Sequence, residues 1–169
     1  MTETETRKAI FHTNTDMSPL SWELMGISAK VSDECIGTFG TGLKYAIAVI
    51  LRTGGKITIK NHNETYKFSS ETIKFRDKSF DQITCNGKAL PFTTEYGKGW
   101  ELWQAYRELY SNTSDEDGLH FIGEPMDEGT SIIVEDEAFV KCMENHADYF
   151  THDREPIAKC DSMKIYDGK

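Results

Sequence analysis

Apolar residues concentrate in a few stretches of the chain, and their spacing predicts the elements of a mixed fold. The run from Leu43 to Leu51 is almost wholly apolar, and its length and alanines favour a buried helix that Gly54 and Gly55 end. Strands are predicted where apolar and polar residues alternate, at 56–60, 66–68 and 72–75. The Asn86-Gly87 pair indicates a turn inside further strand or irregular structure at 79–95.

The two ends of the chain add further elements. We expect a strand at 8–12, then a helix that opens at Ser18-Pro19, where serine can cap and proline suits the first turn, and ends near Met25. Later elements are predicted as a helix at 99–114, a final strand at 131–134 and a helix at 138–150. Together they predict an α+β fold, a two-layer sandwich whose helices cover one face of a single sheet.

Length and hydropathy limit the classes of protein that fit. The chain has 169 residues, which suits one domain. We expect a disordered N-terminus at 1–9, the domain at 10–150 and a C-terminal extension at 151–169 that stops without a closing element. A membrane span needs about 20 apolar residues, and no run approaches that length. The polar N-terminus has no apolar core of a signal peptide, so we expect a cytoplasmic protein that does not bind a membrane.

Charge is distributed unevenly along the chain. The net charge is −9, and residues 115–169 hold 15 acidic against 5 basic side chains, so the last third carries the whole excess. This balance disfavours binding to nucleic acid. An acidic tail can serve solubility or face a basic partner, and both interpretations stay open. The four cysteines form no C-x-x-C pair and are expected to be reduced, and Cys142 with His146 supplies too few ligands for a zinc site.

A glycine-rich turn directly before the apolar helix is the first candidate for chemistry. Gly37, Gly40 and Gly42 fall within six residues, where glycine lets the backbone approach a ligand closely. The start of the following helix presents unpaired N–H groups and the positive end of its dipole, which together suit a polyphosphate. Lys44 in the first turn could add a charged contact. A purely structural turn is the alternative, because neither the Walker A nor the dinucleotide-binding glycine pattern is present.

The second candidate lies on the helix predicted at 99–114 and the turn after it. Glu108, Asn112 and Asp115 are spaced so that they fall within roughly 60° of one another on one helical face. The amide oxygen of Asn112 suits Mg²⁺, and the Glu108 carboxylate can orient or deprotonate a water for attack on a γ-phosphate. A solvated polar stripe on an amphipathic helix is the alternative interpretation.

Both stretches resemble motifs of one superfamily, the GHKL ATPases (gyrase, heat-shock chaperone, histidine kinase and mismatch repair). Residues 36–46 resemble its glycine box, whose backbone amides hold ATP phosphates, and 24–30 look like the lid segment before it. Residues 107–115 are similar to its N-box. The resemblance implies a Bergerat-type ATP-binding fold in which Glu108 is the general base and Asn112 the Mg²⁺ ligand. It assigns Gly37, Gly40, Thr41, Gly42, Lys44 and Asp115 to the nucleotide site, and Thr130, in a segment similar to the last strand, to the adenine.

The chain departs from the superfamily pattern in two respects. The glycine box precedes the N-box here, so the chain resembles a circularly permuted member. The D-x-G-x-G motif, whose aspartate reads adenine, is missing. Its expected place is residues 11–17, where His12 would occupy the aspartate position and Asn14 or Asp16 could accept the adenine hydrogen bond.

Much of residues 10–140 also looks like a group of uncharacterised bacteriophage-encoded proteins of this permuted type. Two functions follow as expectations. In the first, the chain binds ATP with Mg²⁺ and hydrolyses it slowly in the host cytoplasm. In the second, the fold has lost catalysis and binds a host protein, an interpretation that the missing adenine motif and the acidic last third favour.

Overall fold

The structure is a computed structural model that describes residues 6–25, 41–150, 155–160 and 163–165. Within these ranges the chain forms nine β-strands, four α-helices and one 3-10 turn at His146–Asp148. The strands are β1 (Lys8–Thr13), β2 (Lys56–Asn61), β3 (Glu64–Phe75), β4 (Lys78–Cys85), β5 (Lys88–Thr93), β6 (Leu119–Ile122), β7 (Thr130–Glu135), β8 (Ala158–Cys160) and β9 (Met163–Ile165). The helices are α1 (Leu20–Glu23), α2 (Gly42–Arg52), α3 (Leu102–Asp115) and α4 (Glu137–Glu144).

Seven of these strands form one sheet in the order β5-β4-β3-β2-β7-β1-β6. Every neighbouring pair in it is antiparallel. Strands β8 and β9 form a separate antiparallel hairpin. The mixed α+β class expected from the sequence is therefore confirmed.

The main core lies between this sheet and the helices. Phe11, Ile132 and Ile59 stand side by side on β1, β7 and β2, and all three are buried. Aromatic rings of α3 and α4 cover them: the ring centroids of Tyr106 and Phe139 lie 6.1 and 6.0 Å from that of Phe11. These distances suit edge-to-face packing.

The opposite face of the sheet contains a second, smaller set of buried residues. Ile10 pairs with Ile133 and His12 pairs with Ser131 across β1 and β7, and all four side chains are buried. Successive residues of a strand point to opposite faces, so these side chains point away from Phe11 and the helices. The central strands of the sheet are therefore buried on both faces, and β7 is buried continuously from Thr130 to Val134.

Several boundaries differ from those predicted. Helix α1 is a single turn that begins at Leu20, because Ser18 accepts a hydrogen bond from the Leu20 amide at 3.3 Å and Pro19 holds the cap position. Helix α3 begins at Leu102 because Glu101 and Gln104 form a capping box there. Strand β1 begins at Lys8, inside the segment 1–9 that we expected to be disordered.

The hairpins explain the remaining differences. Residues 66–68 and 72–75, predicted as separate strands, belong to the single twelve-residue strand β3, which pairs with β4 along most of its length. The Asn86-Gly87 turn is confirmed, with φ of 49° and 80° at its two residues, as a type I′ turn requires. Strand β6 was not predicted, and the strand at 131–134 is not the final one because β8 and β9 follow it. The predicted helix at 138–150 stops at Glu144 and is followed by the 3-10 turn.

Candidate nucleotide site

The acidic and amide side chains predicted on α3 lie together. This helix buries the face that carries Ala105, Tyr106 and Leu109, which leaves Glu108 and Asn112 on its flank. The Asn112 side-chain amide donates a hydrogen bond to Oε1 of Glu108 at 2.8 Å. This geometry agrees with the spacing of one helical turn on which the prediction was based. Asp115 is the last residue of the helix and is exposed.

The Glu108 carboxyl group also reaches the first residue of α2. A Cβ atom built on Gly42 would overlap Oε1 and Cδ of Glu108 and would lie 2.6 Å from Oε2. Only glycine leaves room for the carboxyl group in this position. The end of the glycine-rich turn and the acid–amide pair of α3 therefore meet in space although 66 positions separate Gly42 from Glu108 in the sequence.

This contact has an electrostatic consequence for α2. The N-terminus of a helix carries the positive end of the helix dipole and amide groups without intrahelical partners. The Thr41 side chain makes no capping hydrogen bond there. A carboxylate beside Gly42 is thus favourably placed, and a phosphate would be favoured at the same helix end for the same reason.

Lys44 lies in the first turn of α2 and is fully buried. Its ammonium group donates a hydrogen bond at 2.7 Å to the carbonyl oxygen of Ser21, which lies in α1. Burial lowers the pKa of Lys44 below its ordinary value of 10.5. The structure therefore places the ammonium against α1, and a contact of Lys44 with phosphate stays a prediction.

Thr130, the residue predicted near the adenine, lies at the start of β7 among polar groups. Its buried hydroxyl donates to the carbonyl oxygen of Thr15 at 2.7 Å and lies 3.0 Å from Oδ1 of Asn61. The Asn61 amide in turn donates to the Met17 carbonyl at 3.0 Å. Thr130 is thereby fixed against the loop that follows β1, which is the segment expected to replace the adenine motif.

That loop also carries Asn14 and Asp16, both exposed. The Asp16 carboxylate accepts a hydrogen bond from Nε2 of His62, at the turn between β2 and β3. Asn14 and Asp16 flank Thr15, whose carbonyl oxygen accepts the Thr130 hydrogen bond, and their role near a base stays a prediction. The sequence does not predict three of these residues, Thr15, Asn61 and His62. Polar residues at the ends of strands are typical of turns, so nothing in the sequence distinguishes them.

Thr15 connects the Thr130 region with α3. The Thr15 hydroxyl is hydrogen-bonded to the carboxylate of Glu116, which caps the C-terminus of α3. Gly118, two residues on, packs so closely against the His12 carbonyl that a Cβ atom there would overlap it. A continuous series of contacts thus runs from Thr130 to the helix that carries Asn112 and Glu108.

His12 occupies the place expected for the adenine-reading aspartate, but its side chain lies on the face of the sheet opposite to Thr130. Its Nδ1 lies 2.9 Å from the Ser131 hydroxyl, and its side chain is buried. Thr13 pairs with Thr130 across the strands, so the neighbouring His12 points to the opposite face of the sheet. This placement separates His12 from Thr130 and leaves the loop residues as the groups closest to it.

Part of the predicted site lies outside the described residues. Gly37, Gly40 and all of the segment 26–40 belong to this part, so only residues 41–46 of the glycine box can be placed. Among the residues that are described, no group of three or more His, Cys, Asp and Glu side chains is arranged to hold a metal ion. None of the described helices is both long and apolar enough to span a bilayer.

Comparisons of the chain with protein-family models, with curated proteins and with solved structures found no match. The assignment of a function therefore depends on the motifs and on the geometry described above.

Proposed function

We propose that the chain is an ATP-binding domain of the GHKL type with a permuted order of motifs, and that it hydrolyses ATP slowly with Mg²⁺. One observation carries this proposal. The carboxyl group of Glu108 lies against Gly42, so the last residue of the predicted phosphate-binding turn lies beside the predicted metal-binding helix.

Each residue has a distinct role in this proposal. Backbone amides of Gly37, Gly40, Thr41 and Gly42 bind the phosphates, with Lys44 as an auxiliary cation. Thr130, Asn14 and Asp16 lie at the base end, and Asp115 at the far end of the metal-binding helix. These roles follow the resemblance, and the contacts between Thr130, the loop after β1 and α3 support placing them around one cleft.

The donor set near Asn112 suits Mg²⁺. This ion prefers oxygen ligands and binds through one or two protein groups together with substrate phosphates and water. The Asn112 amide nitrogen is turned toward Glu108, so Oδ1 is the atom that would bind the ion. When bound, Mg²⁺ would neutralise phosphate charge. Glu108 would hold and deprotonate the attacking water, with its own carboxylate fixed by the Asn112 amide.

The position of Glu108 makes the metal dependence testable. A carboxylate beside the phosphate-binding helix end repels a triphosphate unless a cation lies between them. Calorimetric titration of the full chain should therefore show ATP binding with Mg²⁺ and at least about tenfold weaker binding in EDTA. The variant Glu108→Gln should bind ATP in EDTA more tightly than the wild type does and should lose turnover.

Asn112→Ala tests the metal ligand, with Asn145→Ala as the matched control on the exposed end of α4. We expect Asn112→Ala to abolish the gain in affinity that Mg²⁺ provides, and Asn145→Ala to keep it. No heat from ATP at high protein concentration, with an intact circular dichroism spectrum, would refute the proposal. Normal turnover by Glu108→Gln would refute the assigned mechanism while leaving nucleotide binding in place.

A second function is favoured by the position of His12. The group at the expected adenine-reading place is buried on the far face of the sheet, bonded to Ser131. A chain that has lost this contact could retain the fold only as a module that binds a host protein. Capture of one partner from host lysate that is unchanged by ATP and by Asn112→Ala would support this function. Capture that requires ATP would favour the first.

A further inference from the structure

Strands β3 and β4 extend beyond the rest of the sheet as a two-stranded arm. Strand β2 pairs with β3 only as far as Lys67, and β5 pairs with β4 only from Gln82 onward. Between these limits, residues 72–81 form backbone ladder pairs only with one another among the described residues. The two-stranded part, from Thr72 to Phe75, is about 10 Å long at roughly 3.4 Å per residue.

The end of this arm combines apolar and basic side chains. Ile73 pairs with Phe80, and Phe75, on the same face, is 63% exposed although it is a large aromatic residue. Residues 73–80 hold three cations, Lys74, Arg76 and Lys78, against one anion, Asp77. Among the described residues none of these cations forms a salt bridge; Arg76 lies over the Phe75 ring at 5.4 Å. We call residues 73–80 the arm tip.

The opposite border of the same sheet has complementary properties. Strand β6 is the last strand, and among the described residues it pairs only with β1. Leu119, Ile122 and Met126 are exposed there, by 55, 40 and 44%. Residues 115–128 contain six acidic side chains and no lysine or arginine. We call residues 115–128 the edge patch.

We propose that the arm tip docks on the edge patch of a second copy of this chain. Exposed apolar residues surrounded by basic groups on one surface match exposed apolar residues surrounded by acidic groups on the other. Such pairing buries apolar area and brings opposite charges together, which favours and orients association.

The strand order excludes the patch of the same chain as the binding site. Four strand spacings separate β3 from β6, which is about 19 Å at 4.8 Å per strand. The register also places Phe75 beyond the end of β2 that carries Lys56, so the arm projects away from the body of its own sheet. Two copies related by a twofold axis can form two such contacts, because each copy contributes one arm tip and one edge patch.

Sedimentation or light scattering of the full chain, from micromolar to several hundred micromolar, tests the proposal. The chain mass is 19.2 kDa, and we expect the weight-average mass to rise toward twice that value with concentration. Added salt should weaken the association because exposed charges contribute to it. A mass that stays at one chain under all these conditions would overturn the proposal.

Charge reversal identifies the surfaces. Lys74→Glu with Lys78→Glu should abolish association. Asp117→Lys with Glu128→Lys should do the same; these two acids are used because Glu124 and Asp127 already pair with Lys8 and Lys60 of their own chain. An equimolar mixture of the two variants should regain mixed dimers, because the reversed arm tip now matches the reversed edge patch. Phe75→Ser should weaken association at least tenfold, whereas Ile157→Ser, which removes another residue with 69% exposure, should not. Two reversed variants that fail to associate when mixed, while the wild type dimerises, would show that the dimer uses another surface.

Discussion

The contact between Gly42 and Glu108 can be tested by a double-mutant cycle that does not depend on ATP. The perturbation is Gly42→Ala, introduced into the wild type and into Glu108→Ala. Gly42 begins α2 with helical geometry, so alanine suits its backbone. The added methyl group meets only the end of a flexible side chain, the Glu108 carboxyl group. We therefore expect Glu108 to be displaced while the fold is retained.

The size of the effect follows from what the displacement removes. Alanine in place of glycine stabilises a helix interior by up to about 1 kcal/mol, and by less at its first residue. Displacement of Glu108 breaks its hydrogen bond with Asn112. A hydrogen bond to a charged acceptor contributes about 1.5 kcal/mol at the lower end of the usual range, and this lower value applies because the pair is only partly buried. Gly42→Ala alone should therefore destabilise the protein by about 1 kcal/mol.

The second background reverses the sign. In Glu108→Ala the carboxyl group is absent, so the methyl group at position 42 meets no obstacle and the substitution should stabilise by about 0.5 kcal/mol. The coupling free energy between the two sites should then be about 1.5 kcal/mol. Urea denaturation followed by the fluorescence of the three tryptophans gives the four free energies of unfolding.

Gly99→Ala is the matched control for this cycle. A Cβ atom at Gly99 would meet no other atom within 4 Å, so the same change should give the same small effect with and without Glu108. If Gly42→Ala and Glu108→Ala are additive to within about 0.5 kcal/mol, the two residues do not touch in solution. The geometric basis of the candidate site would then be wrong.

Three further predictions concern other parts of the molecule. Burial lowers the pKa of Lys44 below 10.5, so the unfolded chain binds the proton more strongly than the folded protein does. The free energy of unfolding should therefore rise with pH between the lowered pKa and 10.5. Urea denaturation at several pH values should show this rise in the wild type and not in Lys44→Met. Thr130→Val should destabilise the protein by about 1–3 kcal/mol because the Thr15 carbonyl oxygen loses the hydroxyl that donates to it. Thr130→Ser keeps this donor and should cost less, so equal thermal stability of the two variants would contradict this. The hydrogen bond from Arg7 lowers the pKa of Glu137, so the pair stabilises the fold above pH 4.5 and this stabilisation is lost as the pH falls further. Arg7→Ala should therefore make the acid-induced loss of stability shallower. The change should be small because both side chains are exposed.

The elements that the sequence predicts well are those whose pattern is local. The apolar run that forms α2 and the Asn86-Gly87 turn both have a local physical cause, in burial and in the positive φ of the turn residues. Strand β6 has no such pattern, since three of its four residues are exposed and it is held by backbone pairing with β1. In the middle of β3, Ser69, Ser70 and Glu71 are all polar and exposed, so they interrupt the alternation and the full length of the strand could not be predicted.

The candidate site shows the same division. The pairing of Glu108 with Asn112 follows from their spacing on one helix, and the structure reproduces it. The contact of Glu108 with Gly42 depends on how α2 packs against α3, which no local pattern contains. The burial of Lys44 likewise depends on tertiary packing: its place in the first turn predicts a charged contact with phosphate, but no local pattern contains its hydrogen bond to α1.

The same placement of Glu108 has two physical uses, and the experiments above separate them. A carboxylate at the N-terminus of α2 stabilises that helix through its dipole whether or not a nucleotide binds. A catalytic base for ATP hydrolysis needs the same location, close to the terminal phosphate and beside the metal ligand Asn112. The mutant cycle measures the first use alone. The turnover of Glu108→Gln measures the second, because a glutamine keeps the shape of the side chain but does not accept a proton from water. A positive cycle with unchanged turnover would therefore assign Glu108 to stability and remove the support that its position gives to catalysis.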